Sequence, residues 1–279
     1  MPNGPEQILP APSSDGHTLT GNVLKLQGFR SDVLDNRRDV HVYLPPGYDA
    51  MPERRHPVLY LHDGQNVFDG ATAYVPGQEW QVDETAEALI TAGHLRPLII
   101  VAVDHAGADR AHELAPTRDH ARGAGGHADS YGRFLLDELK PWVDATYRTD
   151  PSREATAVGG SSLGGLFTLH LGLTRPEDVG ALLVMSPSLW WDRRVLLDRY
   201  STLTGRLPWR IWLDCGTAEG RDTVRNVRAL RSILLRKGWQ GGGDLRYVEA
   251  RDATHSEAAW AARMPDALRF LFPSAGVAG

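Results

Sequence analysis

Six short, almost wholly apolar runs punctuate this chain, at residues 58–61, 98–103, 155–158, 181–185, 210–213 and 245–248, and each is followed by a segment long enough for a helix. A strand that is apolar at nearly every position must be dry on both faces, so helices have to cover it on both sides. That requirement predicts an α/β chain built on a parallel or mixed sheet, with helices over 82–92, 131–146, 163–174, 221–237 and 257–271. Ahead of these, residues 23–29 and 40–44 read as a hairpin-like pair of strands, the second stopped by Pro45-Pro46-Gly47. Residues 1–18 are rich in Pro, Ser and Gly and read as an extended N-terminal arm, leaving 19–279 as a single domain. The stretch 104–130 resists assignment to either element, and loops of that length usually carry function.

The sharpest chemical signal lies between the third of these runs and the helix after it. Gly160-Ser161-Ser162-Leu163-Gly164 fits G-x-S-x-G on a strand-to-helix turn. A serine there sits on strained backbone above the sheet, and its neighbours must be small for the chain to reverse beneath it. The start of the following helix offers free N–H groups to a developing oxyanion, so the Leu163 amide is an expected donor. Ser161 centres the pattern less well, because bulky Leu163 would then occupy the second glycine position. Ser162 is the expected nucleophile.

A serine hydroxyl needs a base, and of eleven histidines only His170 and His255 follow Ser162. His170 falls well inside the helix after the nucleophile and reads as structural or surface. His255 comes in the turn after the run 245–248 and just before the last helix, where the base of such a site belongs. The acid should follow the run 210–213, where Glu219, Asp222 and Asp214 compete. Glu219 is placed first because it sits in the intervening turn, whereas Asp214 is nearly part of the strand and Asp222 suits a helix N-cap. A second oxyanion donor is expected from His62-Asp63-Gly64-Gln65-Asn66, with the Gln65 amide as candidate.

Composition removes several alternatives. The formal charge is −5 and the basic residues are scattered, so no nucleic-acid footprint appears. No P-loop exists, and Gly241-Gly242-Gly243 lacks the helix that a dinucleotide site needs. The single cysteine, Cys215, forms no internal disulfide, and the N-terminus shows no signal-peptide pattern, so a cytoplasmic location is expected. No apolar run approaches the roughly 20 residues that span a bilayer. His105, His112, His120 and His127 match no metal-ligand spacing and read as a solvent-facing lid, so no metal is expected. Arg110 and Glu113 in that stretch read as a surface ion pair rather than as substrate contacts, and the Trp190-Trp191 pair as core or loop anchors before a pocket wall.

Taken together, these residues resemble the esterase family of the α/β-hydrolase fold that includes human esterase D, enterochelin esterases and bacterial feruloyl esterases. The resemblance runs from about Val40 to Phe272. It rests on the turn from Leu59 to Phe68, Leu139-Lys140-Pro141-Trp142-Val143, the nucleophile turn, Ser186-Pro187-Ser188-Leu189-Trp190-Trp191, Cys215-Gly216-Thr217-Ala218-Glu219 and His255-Ser256-Glu257-Ala258-Ala259-Trp260. It implies an α/β-hydrolase fold with a mostly parallel sheet, a small-molecule ester substrate and no cofactor. It also implies Ser162, His255 and Glu219 as a catalytic triad working through an acyl-enzyme. Related esterases often carry Asp at the acid position, and some enterochelin-esterase relatives use a Ser–His dyad. Asp63, Trp80 and Trp190 are placed as pocket lining. An acyltransferase of the same fold and a non-catalytic binding scaffold are the alternatives, and a homo-oligomer stays open.

Overall fold

The computed structural model describes residues 4–10 and 16–274. Nine strands form one sheet in the order β1-β2-β3-β5-β4-β6-β7-β8-β9. The first three, β1 (Gln7–Pro10), β2 (Asn22–Ser31) and β3 (Asn36–Leu44), are antiparallel, as is the pairing of β3 with β5. From there on β5 (Ile99–Val103), β4 (Val58–His62), β6 (Thr156–Ser161), β7 (Ala181–Met185), β8 (Arg210–Gly216) and β9 (Leu245–Ala250) all run parallel. Part of the expected N-terminal arm is therefore the sheet's edge strand: Gln7 pairs with Gln27 and Pro10 with Leu24.

The helices are α1 (Val82–Thr91), α2 (Arg110–Leu114), α3 (Ala128–Arg133), α4 (Lys140–Thr146), α5 (Leu163–Thr174), α6 (Trp191–Ser201), α7 (Arg221–Arg236) and α8 (Glu257–Leu271). None among the described residues is long and apolar enough to cross a membrane. Successive side chains along β4 point to opposite faces, and both faces are dry. Val58 and Tyr60 join a core with Phe167 of α5 and Leu230 of α7. Leu59 and Leu61 join a second core with Ala86 of α1 and Met264 and Leu268 of α8. Full burial of each large apolar side chain contributes about 1.5–3 kcal/mol, which holds the helices to the sheet on either side.

Two departures from the sequence reading bear on the site. The segment read as one helix over 131–146 is α3 and α4 joined by a π-helical stretch, Phe134–Leu139. The unassigned stretch 104–130 holds α2 and the start of α3, with Leu114 and Ala115 buried, so it is packed onto the body rather than being a wholly solvent-facing lid.

Candidate active site

Ser162 lies where β6 becomes α5, with φ 55° and ψ −117°, a conformation that side chains avoid unless surrounding contacts hold it. Those contacts are present. The Ser162 N–H donates to the Met185 carbonyl at 3.0 Å, and its own carbonyl accepts from Leu166 at 3.0 Å and Ser188 at 2.9 Å. The glycines permit the turn: a Cβ on Gly160 would meet the Gly164 carbonyl carbon at 2.8 Å. Ser162 Oγ lies 3.2 Å from Ser188 Oγ.

The turns after β8 and β9 are stitched together beneath Glu219 and His255. Thr217 N–H donates to the Ala250 carbonyl at 2.9 Å, Ala218 N–H to the Ala253 carbonyl at 3.0 Å, and Asp252 N–H to Thr217 Oγ1 at 2.8 Å. Gly216 backs onto Ala253 so closely that any Cβ there would collide with its carbonyl. The result is a hydrogen bond of 2.9 Å between His255 Nδ1 and Glu219 Oε2. The Glu219 side chain is sealed from solvent, while that of His255 is 42% exposed, and the imidazole stands edge-on to Trp260 at 5.0 Å. Burial pushes the Glu219 carboxyl up. Hydrogen bonds from His255, from Ser186 Oγ at 2.6 Å and from the Gly216 N–H at 2.6 Å outweigh it and hold the group below the usual carboxylate range.

Ser186 directs this arrangement. Its Oγ accepts from Trp260 Nε1 at 3.0 Å and Arg263 Nη2 at 3.2 Å, so its hydrogen is left to point at Glu219. The two rival acids are occupied elsewhere. Asp214 is fully buried and bound to Arg263 at 3.0 Å and to Trp212 Nε1 at 2.7 Å. Asp222 is exposed and pairs with Arg225 at 2.9 Å; the N-cap of α7 is Gly220, not Asp222.

Ser162 and His255 line one cavity of about 510 Å³ at the carboxyl ends of the strands, the position where open α/β sheets hold ligands. Gln65 and Asp63 line it as well. Among the described residues no acceptor takes the N–H of Leu163 or of Gln65. Asp63 is buried and left-handed (φ 60°), and it holds the Arg110 guanidinium in two hydrogen bonds of 2.5 and 2.8 Å. Burial raises the Asp63 carboxyl, but Arg110 overcomes this and keeps it ionised. Arg110 thereby reaches the cavity wall beside His105.

Several expected positions differ. Trp80 is fully buried against Trp260 at 5.6 Å and does not line the cavity. Trp190 lies outside it too, 40% exposed beneath the Arg122 guanidinium at 4.4 Å. Aromatic spacing alone does not distinguish core from cleft. Arg110 and Glu113 are not paired with each other: Glu113 makes a buried ion pair with Arg38 at 2.7 Å. His170 is buried and bonded to Asp129 at 2.8 Å. Cys215 is buried, and burial with nearby carboxylates pushes its thiol up to about 12. The only grouping of potential metal ligands among the described residues is Glu79, Asp83 and Glu84, away from the cavity lining. Sequence reasoning missed Ser186 and Ser188 as site residues, along with Tyr74 and Val75 on the cavity wall. Only the Ser-Pro-Ser turn directly after β7 could have drawn attention to the two serines.

The chain is similar to known esterases. Residues 31–271 match the family described as "Putative esterase". Ferri-bacillibactin esterase BesA of Bacillus subtilis is 27% identical over 252 residues, covering 82% of each chain. Iron(III) enterobactin esterase of Dickeya dadantii is 31% identical over 198 residues, 68% of this chain and 40% of that protein. A solved structure of the BES protein from Bacillus cereus superposes with TM-score 0.71 at 21% identity, over 94% of this chain and 99% of that one, and so shares the fold. With a mostly parallel sheet flanked by helices and a family match spanning most of its length, the chain belongs to this esterase family of α/β-hydrolase-type fold, whose named members are carboxylic ester hydrolases.

Proposed function

We propose that the chain hydrolyses small-molecule carboxylic esters through an acyl-enzyme formed on Ser162. In this reading Ser162 Oγ turns from Ser188 toward His255 Nε2, which takes its proton as the hydroxyl attacks the ester carbonyl. The Leu163 and Gln65 amides receive the oxyanion. Protonated His255 then donates to the departing alcohol, and water repeats the sequence to release the acid. Glu219 holds the imidazole with Nδ1 protonated, so that Nε2 faces the serine. Because the site draws on loops from Asp63 to His255, this reading favours a single domain, and β1 (Gln7–Pro10) joins it through the sheet.

The observation that carries this reading is the 2.9 Å bond between sealed Glu219 and half-open His255 above a cavity that the left-handed Ser162 also lines. A scaffold kept only for binding has no need of a buried carboxylate aligned on a histidine. The names of the relatives, esterases of ferri-bacillibactin and iron(III) enterobactin, make siderophore esters the first substrates to try. Short-chain nitrophenyl esters test the chemistry. Turnover is expected and should disappear in Ser162→Ala, whereas undiminished turnover in that variant would refute the assignment. Adding a sugar or glycerol acceptor separates hydrolysis from acyl transfer, and product should partition to the free acid.

A further inference from the structure

The carboxyl ends of the parallel strands hold the cavity described above. A second cavity, of about 360 Å³, lies at their amino ends, beside Ala157, Ala181 and Arg210, where β6, β7 and β8 begin. The two share no residue. Four arginines line the second one, Arg96, Arg153, Arg206 and Arg210, against the two carboxylates Glu154 and Asp244. This is a cationic recess on a chain whose formal charge is −5.

Two of the four arginines are neutralised, Arg153 by Glu154 and Arg206 by Asp244. The other two have no carboxylate within ion-pair distance among the described residues. The Arg210 side chain donates one hydrogen bond, from Nη1 to the Phe270 carbonyl at 3.2 Å. Arg96 lies over the Phe272 ring at 5.5 Å, and its Nε is buried with no acceptor. Burial and the charge of Arg210 both lower the Arg96 pKa, with Asp150 opposing them. Two guanidinium groups without a carboxylate partner share this concave site, and each presents a planar fork suited to carboxylate or phosphate oxygens.

We propose that Arg96 and Arg210 form a second binding site, for the oxyanion head of a small carboxylate or phosphate ligand, at the pole of the sheet opposite the catalytic cavity. Phe272 and Trp209 back the same recess, with Phe272 beneath the Arg96 guanidinium.

Calorimetric titration of the full chain with inorganic phosphate and, separately, with citrate, in chloride of matched ionic strength, tests this. Saturable one-to-one binding is expected for at least one of them, weakened about tenfold or more in Arg96→Gln and in Arg210→Gln. The better of the two probes identifies the preferred head group. Nitrophenyl ester turnover should persist in both variants, which separates this site from the catalytic one. Thermal melts of both variants without ligand should show a folded chain at the titration temperature, so lost binding would not be lost folding. Absence of saturable heat with both anions, or equal binding in parent and variants, would overturn the proposal.

Discussion

Asp214 and Glu219 stand five positions apart on β8 and the turn that follows, and both side chains are closed to solvent, yet they are built for different tasks. Asp214 meets only fixed donors: the Arg263 guanidinium, the Trp212 indole and the Ser186 N–H at 3.2 Å. Burial pushes its carboxyl up, against the pull of Arg263 and the Trp212 indole. Glu219 spends Oε1 on Ser186 and Gly216 and presents Oε2 to a histidine, a group whose charge can change during a reaction. Ser186 joins the two systems, accepting from Arg263 and donating to Glu219. In the proposed triad, the orienting carboxylate has one oxygen held by the fold and one left for its partner, whereas both Asp214 oxygens are taken by fixed donors.

Substitutions along this pair give separable outcomes. Ser162→Ala should lower kcat by on the order of 10⁴–10⁶-fold without changing the melting temperature appreciably, which steady-state kinetics and thermal melts can check together. Glu219→Gln should cost about 10²–10⁴-fold in kcat, because the imidazole loses the carboxylate that fixes its tautomer. Asp214→Asn reverses the pattern. Breaking a buried ion pair from one side leaves Arg263 uncompensated, a loss of about 3–5 kcal/mol visible in denaturant unfolding, with a smaller effect on turnover per folded molecule. Equal losses of stability in the Glu219 and Asp214 variants would collapse the distinction between them.

Smaller changes sharpen it. Ser186→Ala removes one acceptor shared by Trp260 and Arg263 and the donor to Glu219; it should cost about 1–3 kcal/mol and loosen the acid. The Glu219 carboxyl is held below its ordinary value of 4.5 in the folded chain. Its contribution to stability is thus fully present above that value and is lost as pH falls through the depressed one. The stability difference between parent and Glu219→Gln should accordingly shrink as urea melts are moved from pH 7 into the acid range, and a gap that widens would contradict the assigned direction. Asp222→Asn, at an exposed i,i+3 pair with Arg225, should change stability by less than about 0.5 kcal/mol and leave kcat alone.

The elements most easily read from the sequence are those whose pattern is set by burial on one or both faces. The expected spans for α5, β7 and α8 coincide with the observed ones, since Leu163, Ala181 and Glu257 each begin a segment with a clear boundary. β1 escaped because all four of its residues are exposed, so no alternation marks it. α6 escaped because Asp192, Arg193 and Arg194 take left-handed backbone at its start, which breaks the helical period. The strand-end positions of Ser162, Glu219 and His255 single them out in the sequence, and the fold bonds Glu219 to His255 and sets Ser162 and His255 on one cavity. Ser186 and Ser188 were not legible there, because their roles depend on hydrogen bonds from Trp260 and to Ser162, which only the fold brings near.

In the proposed reaction Ser162, and neither of its hydroxyl neighbours Ser161 and Ser188, becomes the nucleophile. Labelling the native chain with a fluorophosphonate and locating the adduct by peptide mass spectrometry tests it most directly. A single adduct on Ser162, formed more slowly in Glu219→Gln and absent in His255→Ala, is the predicted result; an adduct on Ser161 or Ser188, or none in the native chain, would contradict it.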